Sequence, residues 1–136
     1  MENTFNLNIL TPYGHYFEGP VEFLEVRSDK YNLGIYPGHA PLVSTLVIGK
    51  MTLRMKGRNE IYAIGGGIIN IEKGKATLIL DSIESRDEID LERAKEAKKR
   101  AEERLKNIKN DEVIDINRAK LALLKAINRI DIGSKH

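Results

Sequence analysis

Four basic side chains have the spacing that an anion-binding site on a pair of helices needs. Arg93 and Arg100 are seven positions apart, so they share one face of a helix. Lys125 and Arg129 are four positions apart and share a face of a later helix. In an antiparallel hairpin the two sets could converge on one anion, and guanidinium groups suit phosphate oxygens. The alternative is an ordinary solvated face with pairing between charges one turn apart.

Other residue types offer little chemistry. The histidines His15, His39 and His136 are scattered and have no partner at a metal-ligand or nucleophile spacing. The sequence contains no cysteine, and neither a Ser-His-Asp set nor an isolated carboxylate pair stands out. The three glycines at 65–67 lack the Lys-Ser/Thr and the helix start of a P-loop, which predicts a tight turn or close backbone packing. We therefore expect neither catalysis nor a metal site.

Composition limits the classes further. The 136 residues are 41% hydrophobic and 31% charged, which is typical of a globular protein with a charged surface. A net charge of +2, with glutamates interleaved among the cations, does not indicate nucleic-acid binding. The start of the chain lacks signal-peptide features, and no run approaches the roughly 18 apolar residues of a membrane span. We expect a soluble protein in a reducing compartment, without direct membrane insertion.

A repeated motif predicts where the helices begin. Ile89–Lys95 has the pattern Ile-Asp-x-x-Arg-Ala-Lys, and Ile114–Lys120 repeats it. In each copy the aspartate, Asp90 or Asp115, can accept a backbone N–H and complement the positive end of the helix dipole. We therefore predict a helical hairpin over residues 87–136, with a first helix over about 90–109 and a polar break over 107–112.

Helical periodicity supports both arms of this hairpin. The first arm has an apolar face at Ala94, Ala97, Ala101, Leu105 and Ile108. The second has one at Ile116, Ala119, Leu123, Ala126, Ile127 and Ile130, widened by Leu121, Ala122 and Leu124. The contact between the arms is mainly alanine, so the buried area is modest. We therefore predict a marginal hairpin that can change its packing at a small cost.

Residues 1–86 have a different period. Short alternating segments separated by turn signals predict an antiparallel β-sandwich or barrel. The predicted strands are 5–9, 21–26 with a bulge at Phe23-Leu24, 33–36, 41–43, 45–48, 50–56, 61–64, 68–71 and 76–80. The predicted turns are 11–14, a type II turn at Pro37-Gly38, 57–59 and 73–74. The expected fold class is α+β, an N-terminal sandwich followed by a C-terminal two-helix hairpin.

Three stretches carry a resemblance to a known family. They are Leu33–Leu42 (Leu-Gly-Ile-Tyr-Pro-Gly-His-Ala-Pro-Leu), Gly65–Ile68 and Ile89–Ala94. With the two alanine-rich helices, the chain resembles the epsilon-subunit family of bacterial F-type ATP synthases. The resemblance implies a non-catalytic rotor subunit at the cytoplasmic face of the cell membrane. Its sandwich would bind the gamma subunit and the c-ring, and its hairpin would extend into the alpha/beta head to inhibit ATP hydrolysis.

The resemblance also implies sites. No cofactor is required, but ATP as a regulatory ligand would bind the folded hairpin. The implied ATP-binding positions are Glu84, Ile89, Asp90, Arg93, Ala94, Arg100, Lys125 and Arg129. Lys125 stands where relatives usually have Arg; it keeps the charge but loses the planar fork. A free-standing ATP-sensing module is the alternative function.

The c-ring contact implied by the resemblance is the loop around residues 29–33, with His39 nearby. Tyr31 and Asn32 occupy the positions where many relatives have Gly-Glu. The acidic contact of those relatives is therefore replaced here by an aromatic side chain and an amide. The predicted c-ring contacts are Tyr31, Asn32 and His39.

Overall fold

Strands dominate the first part of the chain and helices the last. The computed structural model describes residues 3–107 and 113–134. The elements are β1 Phe5–Thr11, β2 Gly14–Val21, β3 Phe23–Arg27, β4 Asn32–Ile35, β5 Leu42–Met55, β6 Arg58–Glu72, β7 Lys75–Leu80, β8 Ile83–Ser85, a 3-10 turn Arg86–Glu88, α1 Leu91–Asn107 and α2 Val113–Gly133. They form two compact units, Met1–Ser85 and Arg86–His136. Within the described ranges, neither helix has the length and apolar character to cross a membrane.

The β unit is one sheet folded into the predicted sandwich. Its strand order is β2-β1-β7-β6-β5-β3-β4, with β8 also paired to β6. All pairs are antiparallel except β1 with β7, which is parallel. At about 3.3 Å per residue, the 14 residues of β5 and 15 of β6 span more than 45 Å, enough to run through both layers. Strand β2 also contacts β5, although the two are not neighbours in the sheet.

Alternating side chains of these strands fill the core. In β1 the inward residues are Phe5, Leu7 and Ile9, with half-buried residues between them. The other strands contribute further aliphatic side chains in the same way: Val21, Leu24, Val26, Leu33, Ile35, Leu46, Met51, Leu53, Ile64, Ile69, Ile71, Ala76, Leu78 and Leu80. Burial of so many branched aliphatics is the main stabilising term of this unit.

The glycines at 65–67 lie within a strand and form no turn. Strand β6 is continuous through them, and its register with β5 is the same on both sides. A Cβ on Gly67 would overlap the carbonyl oxygen of Ile79 in β7, so the backbones of β6 and β7 approach closely here. Of the two predicted alternatives, close backbone packing is confirmed and a tight turn is wrong.

Two hairpin loops use left-handed lysines. Lys73 and Gly74 have φ of 48° and 74°, which confirms the turn predicted at 73–74. The preceding hairpin turns at Lys56 and Gly57, with φ of 52° and 74°, so the turn predicted at 57–59 is confirmed at Gly57 but begins one residue earlier. Residues 58 and 59 already belong to β6. Positive φ at both central positions defines a type I′ turn, which usually requires Asn or Gly first, so Lys56 gave no signal.

Strand β2 was missed, and the strand predicted at 21–26 is divided. Strand β2 ends at Val21 and β3 begins at Phe23. Glu22 separates them: its N–H donates to the Arg54 carbonyl at 2.8 Å, and its carboxylate accepts the Gly57 N–H at 2.7 Å. The structure places a register shift at Ile9/Leu10 and not at the predicted 23–24 bulge. The pattern of β2 is obscured by glycine and proline, which an edge strand tolerates.

The type II turn at Pro37-Gly38 is confirmed. Gly38 has φ of 84°, and the His39 N–H donates to the Tyr36 carbonyl at 3.2 Å. Proline presets φ at the first central position of such a turn, and glycine accepts the positive φ at the second. The turn gives His39 a defined position at the end of β4.

The helical unit follows the predicted hairpin, with corrections at its second start. Arg93 N–H donates to Asp90 Oδ1 at 3.2 Å, so Asp90 caps α1 as predicted. Helix α2 already begins at Val113, so Asp115 lies in its first turn and the second predicted cap is wrong. Ile127, predicted on the buried stripe, is 43% exposed. Ile108 and most of the predicted polar break at 107–112 lie outside the described residues, and Asn107 ends α1.

Candidate functional site

The end of α2 contacts the start of α1, which shows that the hairpin is antiparallel. Gly133, the last residue of α2, is buried against Ile89 and Leu91. A Cβ built on Gly133 would lie 3.0 Å from Ile89 Cγ2 and 3.0 Å from Leu91 Cδ2. This contact places Gly133 roughly level with residue 90.

Small residues form the interface between the helices. Each helix buries two alanines seven residues apart: Ala94 and Ala101 in α1, and Ala119 and Ala126 in α2. Seven residues are about two turns, so each pair marks a line along its helix. These two lines face each other. The angular positions of other residues around each helix are measured from its alanine line.

One flank of the hairpin carries a groove. Lys98 of α1 lines it together with Ile127, Ile130, Asp131 and Ser134 at the end of α2. Its volume is about 240 Å³. Rotation from the alanine line toward Lys98 in α1, or toward Ile127 in α2, therefore leads to this grooved flank.

The four cations of the predicted anion site lie on the other flank. Counting about 100° per residue, Arg93 and Arg100 are displaced by about 100–120° from the alanine line of α1, opposite in sense to Lys98. Lys125 and Arg129 are displaced by about 80–120° from the alanine line of α2, opposite in sense to Ile127. In an antiparallel pair, these two displacements lead to the same side. We call these four residues the basic flank.

The basic flank has two rungs. Taking Gly133 as level with residue 90, and 1.5 Å per residue, Arg93 and Arg129 differ by about 2 Å along the axis. Arg100 and Lys125 differ by about 3 Å and lie roughly 10 Å further along. Arg93 and Arg100 are exposed, whereas Lys125 and Arg129 are half-buried. Two rungs of positive charge at this spacing can contact successive groups of an elongated anion.

The remaining motif residues have structural contacts. Ile89 packs against Gly133, and Ala94 is fully buried in the helix interface. Asp90 caps α1 and is exposed. Glu84 belongs to the β unit, where it is half-buried in β8 and opposite Ala63 of β6. The sequence motif therefore combines packing, capping and one exposed cation, Arg93.

The predicted c-ring loop is organised by a serine that the sequence reasoning missed. Ser28 is buried, and its hydroxyl accepts the N–H groups of Lys30 and Tyr31 at 3.2 and 3.1 Å. The hydroxyl also lies 2.9 Å from the Tyr31 carbonyl and donates to it. A serine followed by Asp-Lys is a turn signal of the kind that local side-chain bonds produce. It holds Tyr31, 54% exposed, at the tip.

The other two predicted c-ring residues adjoin β4. Asn32 is exposed at the start of β4, and its Oδ1 accepts Arg27 Nη1 at 3.4 Å. His39 is half-buried after the type II turn, with Nδ1 2.6 Å from the Ala40 carbonyl oxygen. Tyr31, Asn32 and His39 are thus held at the two ends of the four-residue strand β4.

An exposed apolar row crosses the outer face of the sheet. Ile68 of β6 pairs with Ile79 of β7, and Ile79 pairs with Leu10 of β1. Val43 of β5 lies diagonally beside Ile68, since Ile68 pairs with Thr45. Val43 is 71% exposed, Ile68 46% and Ile79 54%. Consecutive apolar residues such as Ile68-Ile69 are the signal for this row, because one of each pair must face outward.

Comparisons with known proteins cover nearly the whole chain. Residues 4–86 match the family model "ATP synthase, Delta/Epsilon chain, beta-sandwich domain". Residues 87–133 match "ATP synthase, Delta/Epsilon chain, long alpha-helix domain". The chain is 42% identical to the ATP synthase epsilon chain of Bacillus velezensis over 130 residues, which covers 96% of this chain and 97% of the relative. Identity and coverage are the same with the epsilon chain of Desulforamulus reducens, 42%, 96% and 97%.

The fold also matches a solved structure. A chain in the Euglena gracilis mitochondrial ATP synthase, a structure of OSCP, F1 and the c-ring, superposes with a TM-score of 0.80 at 19% identity. The match covers 100% of this chain and 84% of that chain. At this identity the likeness concerns the fold.

Proposed function

The chain belongs to the ATP synthase delta/epsilon family, and we propose that it couples rotation in the central stalk of that enzyme and restrains hydrolysis through a nucleotide-controlled helical arm. It is a non-catalytic epsilon-type subunit of the ATP synthase complex.

The β unit supplies the coupling surfaces of this proposal. The apolar row through Ile68 and Ile79 offers an exposed apolar patch that suits the gamma subunit, because a protein interface needs an apolar centre. The Ser28-anchored loop presents Tyr31 and Asn32 to the c-ring at the cytoplasmic face of the membrane. Both surfaces lie on a rigid sheet, so torque is transmitted with little deformation.

The basic flank is the proposed site for the triphosphate of ATP. The observation that carries this part is that Arg93, Arg100, Lys125 and Arg129 come from both helices and lie on one flank. An anion that contacts both helices binds the folded hairpin better than the unfolded one. Such a ligand stabilises the folded hairpin by RT ln(1 + [L]/Kd), about 2.7 kcal/mol at a hundredfold excess over Kd.

The arm itself has the surface that an extended state needs. Leu121 and Leu124, with Ile127, form an exposed stripe on α2, at 47%, 55% and 43% exposure. When the hairpin opens, the buried alanine line is uncovered beside this already exposed stripe, and together they offer an apolar surface to the alpha/beta head. In this mechanism ATP favours the folded arm, and loss of ATP favours the extended, inhibitory arm.

Titration of the isolated chain tests the ATP site. We expect ATP at millimolar concentration to raise the melting temperature of the helical unit in a saturable way. Arg93→Ala and Arg129→Ala should remove the effect, because each removes one charge of the same rung. Lys95→Ala is the matched control, since Lys95 is an exposed cation of α1 outside the basic flank. No saturable shift with the wild-type chain would remove nucleotide binding from the proposal.

Reconstitution tests the mechanical part. Deletion of residues 88–136 should raise ATP hydrolysis by the assembled complex without preventing assembly. The double substitution Ile68→Asp with Ile79→Asp should weaken co-purification with gamma, because charge is placed in a desolvated contact. Tyr13→Asp is the control at a site 98% exposed and outside the apolar row. Unchanged hydrolysis after the deletion would exclude an inhibitory arm.

A further inference from the structure

We propose that Gly133 is a positioning residue: its missing side chain sets the register of the helical hairpin and so keeps Arg129 level with Arg93. This inference rests on the proposed function of the basic flank as an anion site. It concerns a residue outside the implied ATP set, and it assigns Ile89 of the motif a role in this register.

The contact at Gly133 is too tight for a side chain to fit without some adjustment of its neighbours. A Cβ there would lie 3.0 Å from Ile89 Cγ2, 3.4 Å from Ile89 Cβ and 3.0 Å from Leu91 Cδ2. Ordinary carbon contacts are at about 3.5–4.0 Å, so even a Cβ requires Ile89 and Leu91 to give by a few tenths of an ångström, and a side chain as large as leucine requires more. Ile89 Cγ2 is bonded directly to Cβ and cannot swing away as the end of a long side chain can.

The usual reasons for a glycine at a helix end do not apply. Glycine commonly ends a helix because it adopts a left-handed φ. The positive-φ glycines of the described residues are Gly14, Gly38, Gly57, Gly66, Gly67 and Gly74, and Gly133 is not among them. Gly133 has helical geometry at the end of α2, where alanine or leucine would be a better helix former. Close approach to Ile89 and Leu91 explains the residue.

This contact controls the first rung of the basic flank. Arg129 is one turn before Gly133, and Arg93 is one turn after Ile89. A displacement of the end of α2 therefore changes the separation of these two guanidinium groups directly. The second rung, Arg100 and Lys125, lies further from the contact and moves less. We call the contact of Gly133 with Ile89 and Leu91 the apolar notch. The anion site thus depends on this notch, although the notch itself is not part of the site.

Spin-label distances and nucleotide affinity test the proposal together. The chain has no cysteine, so labels at Lys95→Cys and Leu124→Cys, both exposed sites, report the helix register without ligand. Gly133→Leu should lengthen or broaden the label distance and weaken ATP binding by at least about tenfold, or 1.4 kcal/mol. Asn117→Ala is the control, because it raises helix propensity at an exposed site of α2 away from the notch.

A compensating substitution separates positioning from general destabilisation. Trimming the opposing side chains, with Gly133→Leu combined with Ile89→Ala and Leu91→Ala, should restore both the label distance and most of the affinity. An unchanged distance and affinity in Gly133→Leu would overturn the proposal, and so would failure of the triple variant to restore them while the helices stay folded by circular dichroism. If the wild-type chain binds no ATP, the nucleotide-binding part of the proposed function fails, while the label distances still decide the role of Gly133.

Discussion

At the scale of residues, the motif Ile89–Ala94 divides into separate physical roles. Ile89 fills the notch at Gly133, Asp90 caps α1, and Ala94 lies in the helix interface. Arg93 is the motif residue that presents an exposed charge on the basic flank. Three of these roles preserve the hairpin that the fourth requires. Loss of nucleotide binding on substitution of a motif residue is therefore no proof that the residue touches the nucleotide.

The two aspartates of the repeated motif should differ in their effect on stability. Asp90→Ala removes a side-chain acceptor for the Arg93 N–H, and we expect the helical unit to lose about 1 kcal/mol of stability. Asp115→Ala removes only a charge in the first turn of α2, with an expected loss of about 0.3–1 kcal/mol that salt reduces. Chemical denaturation followed by helical circular dichroism measures both. Equal losses at high salt would contradict the assignment of a single cap.

We expect the Ser28 hydroxyl to contribute measurably to the stability of the β unit. Ser28→Ala leaves the N–H groups of Lys30 and Tyr31 without their acceptor in a partly buried loop, so we expect the β unit to lose about 1–3 kcal/mol. Ser44→Ala is the control, because its hydroxyl donates only to an exposed neighbouring carbonyl. Thermal unfolding of the two variants measures the difference. A loss at Ser28 no greater than at Ser44 would show that the loop is held by other contacts.

At the scale of elements, sequence periodicity predicted the strands and helices that bury a single face. It missed the features whose burial depends on a neighbouring element. The strands around Leu7 and Leu78, and helix α1 around Ala94, have clean patterns because each buries one side. Strand β2 escaped notice because its glycine and proline are tolerated only at a sheet edge, and the edge is a tertiary property. For the same reason Ile127 belongs to the predicted apolar face of the second helix but is not buried. Its period fits, but the buried line of α2 runs through the alanines.

For the candidate site, too, the sequence predicted the relations within one helix and missed those between elements. Spacing alone placed Arg93 with Arg100, and Lys125 with Arg129, because positions on one helix follow from its period. The common flank required the antiparallel arrangement of the two helices, and the pairing into rungs required their axial register. Both follow from the contact at Gly133, and a glycine in the sequence carries no signal of a close approach. The anchor at Ser28 and the apolar row through Ile68 likewise depend on burial and pairing that become visible only in the folded chain.

The glycines inside β6 provide a test of close backbone packing. Gly67→Ala should destabilise the β unit by about 3 kcal/mol or more, because the new Cβ meets backbone atoms of Ile79 and Leu80 that cannot rotate away. Gly49→Ala in β5 is the control, since its Cβ would have only the Val47 oxygen nearby, at 3.9 Å. Urea unfolding of the two variants gives the comparison. A mild effect at Gly67 would mean that β6 and β7 separate easily at this point.

At the scale of the whole molecule, the two units have cores of different quality. The β unit buries branched and long side chains such as Leu7, Ile9 and Met51, each worth about 1.5–3 kcal/mol when fully buried. The buried residues of the described helical unit are mainly alanines, with Ile132. An alanine gains little from burial, so little is left after the entropy of ordering two helices. This contrast is what a movable arm on a rigid coupling domain requires.

Amide hydrogen exchange on the isolated chain should resolve this contrast. We expect the slowest amides of α1 and α2 to exchange at least about tenfold faster than those of β6 and β7, because opening the hairpin exposes less apolar surface than opening the sheet. Saturating ATP should slow exchange in both helices and leave the strands unchanged, since the proposed site is formed only in the folded hairpin. Arg129→Ala should abolish that slowing while the strand rates stay the same. Helices as protected as strands without ATP would mean that the arm does not open at modest cost, and inhibition by an extended arm would then require a partner to pull it open.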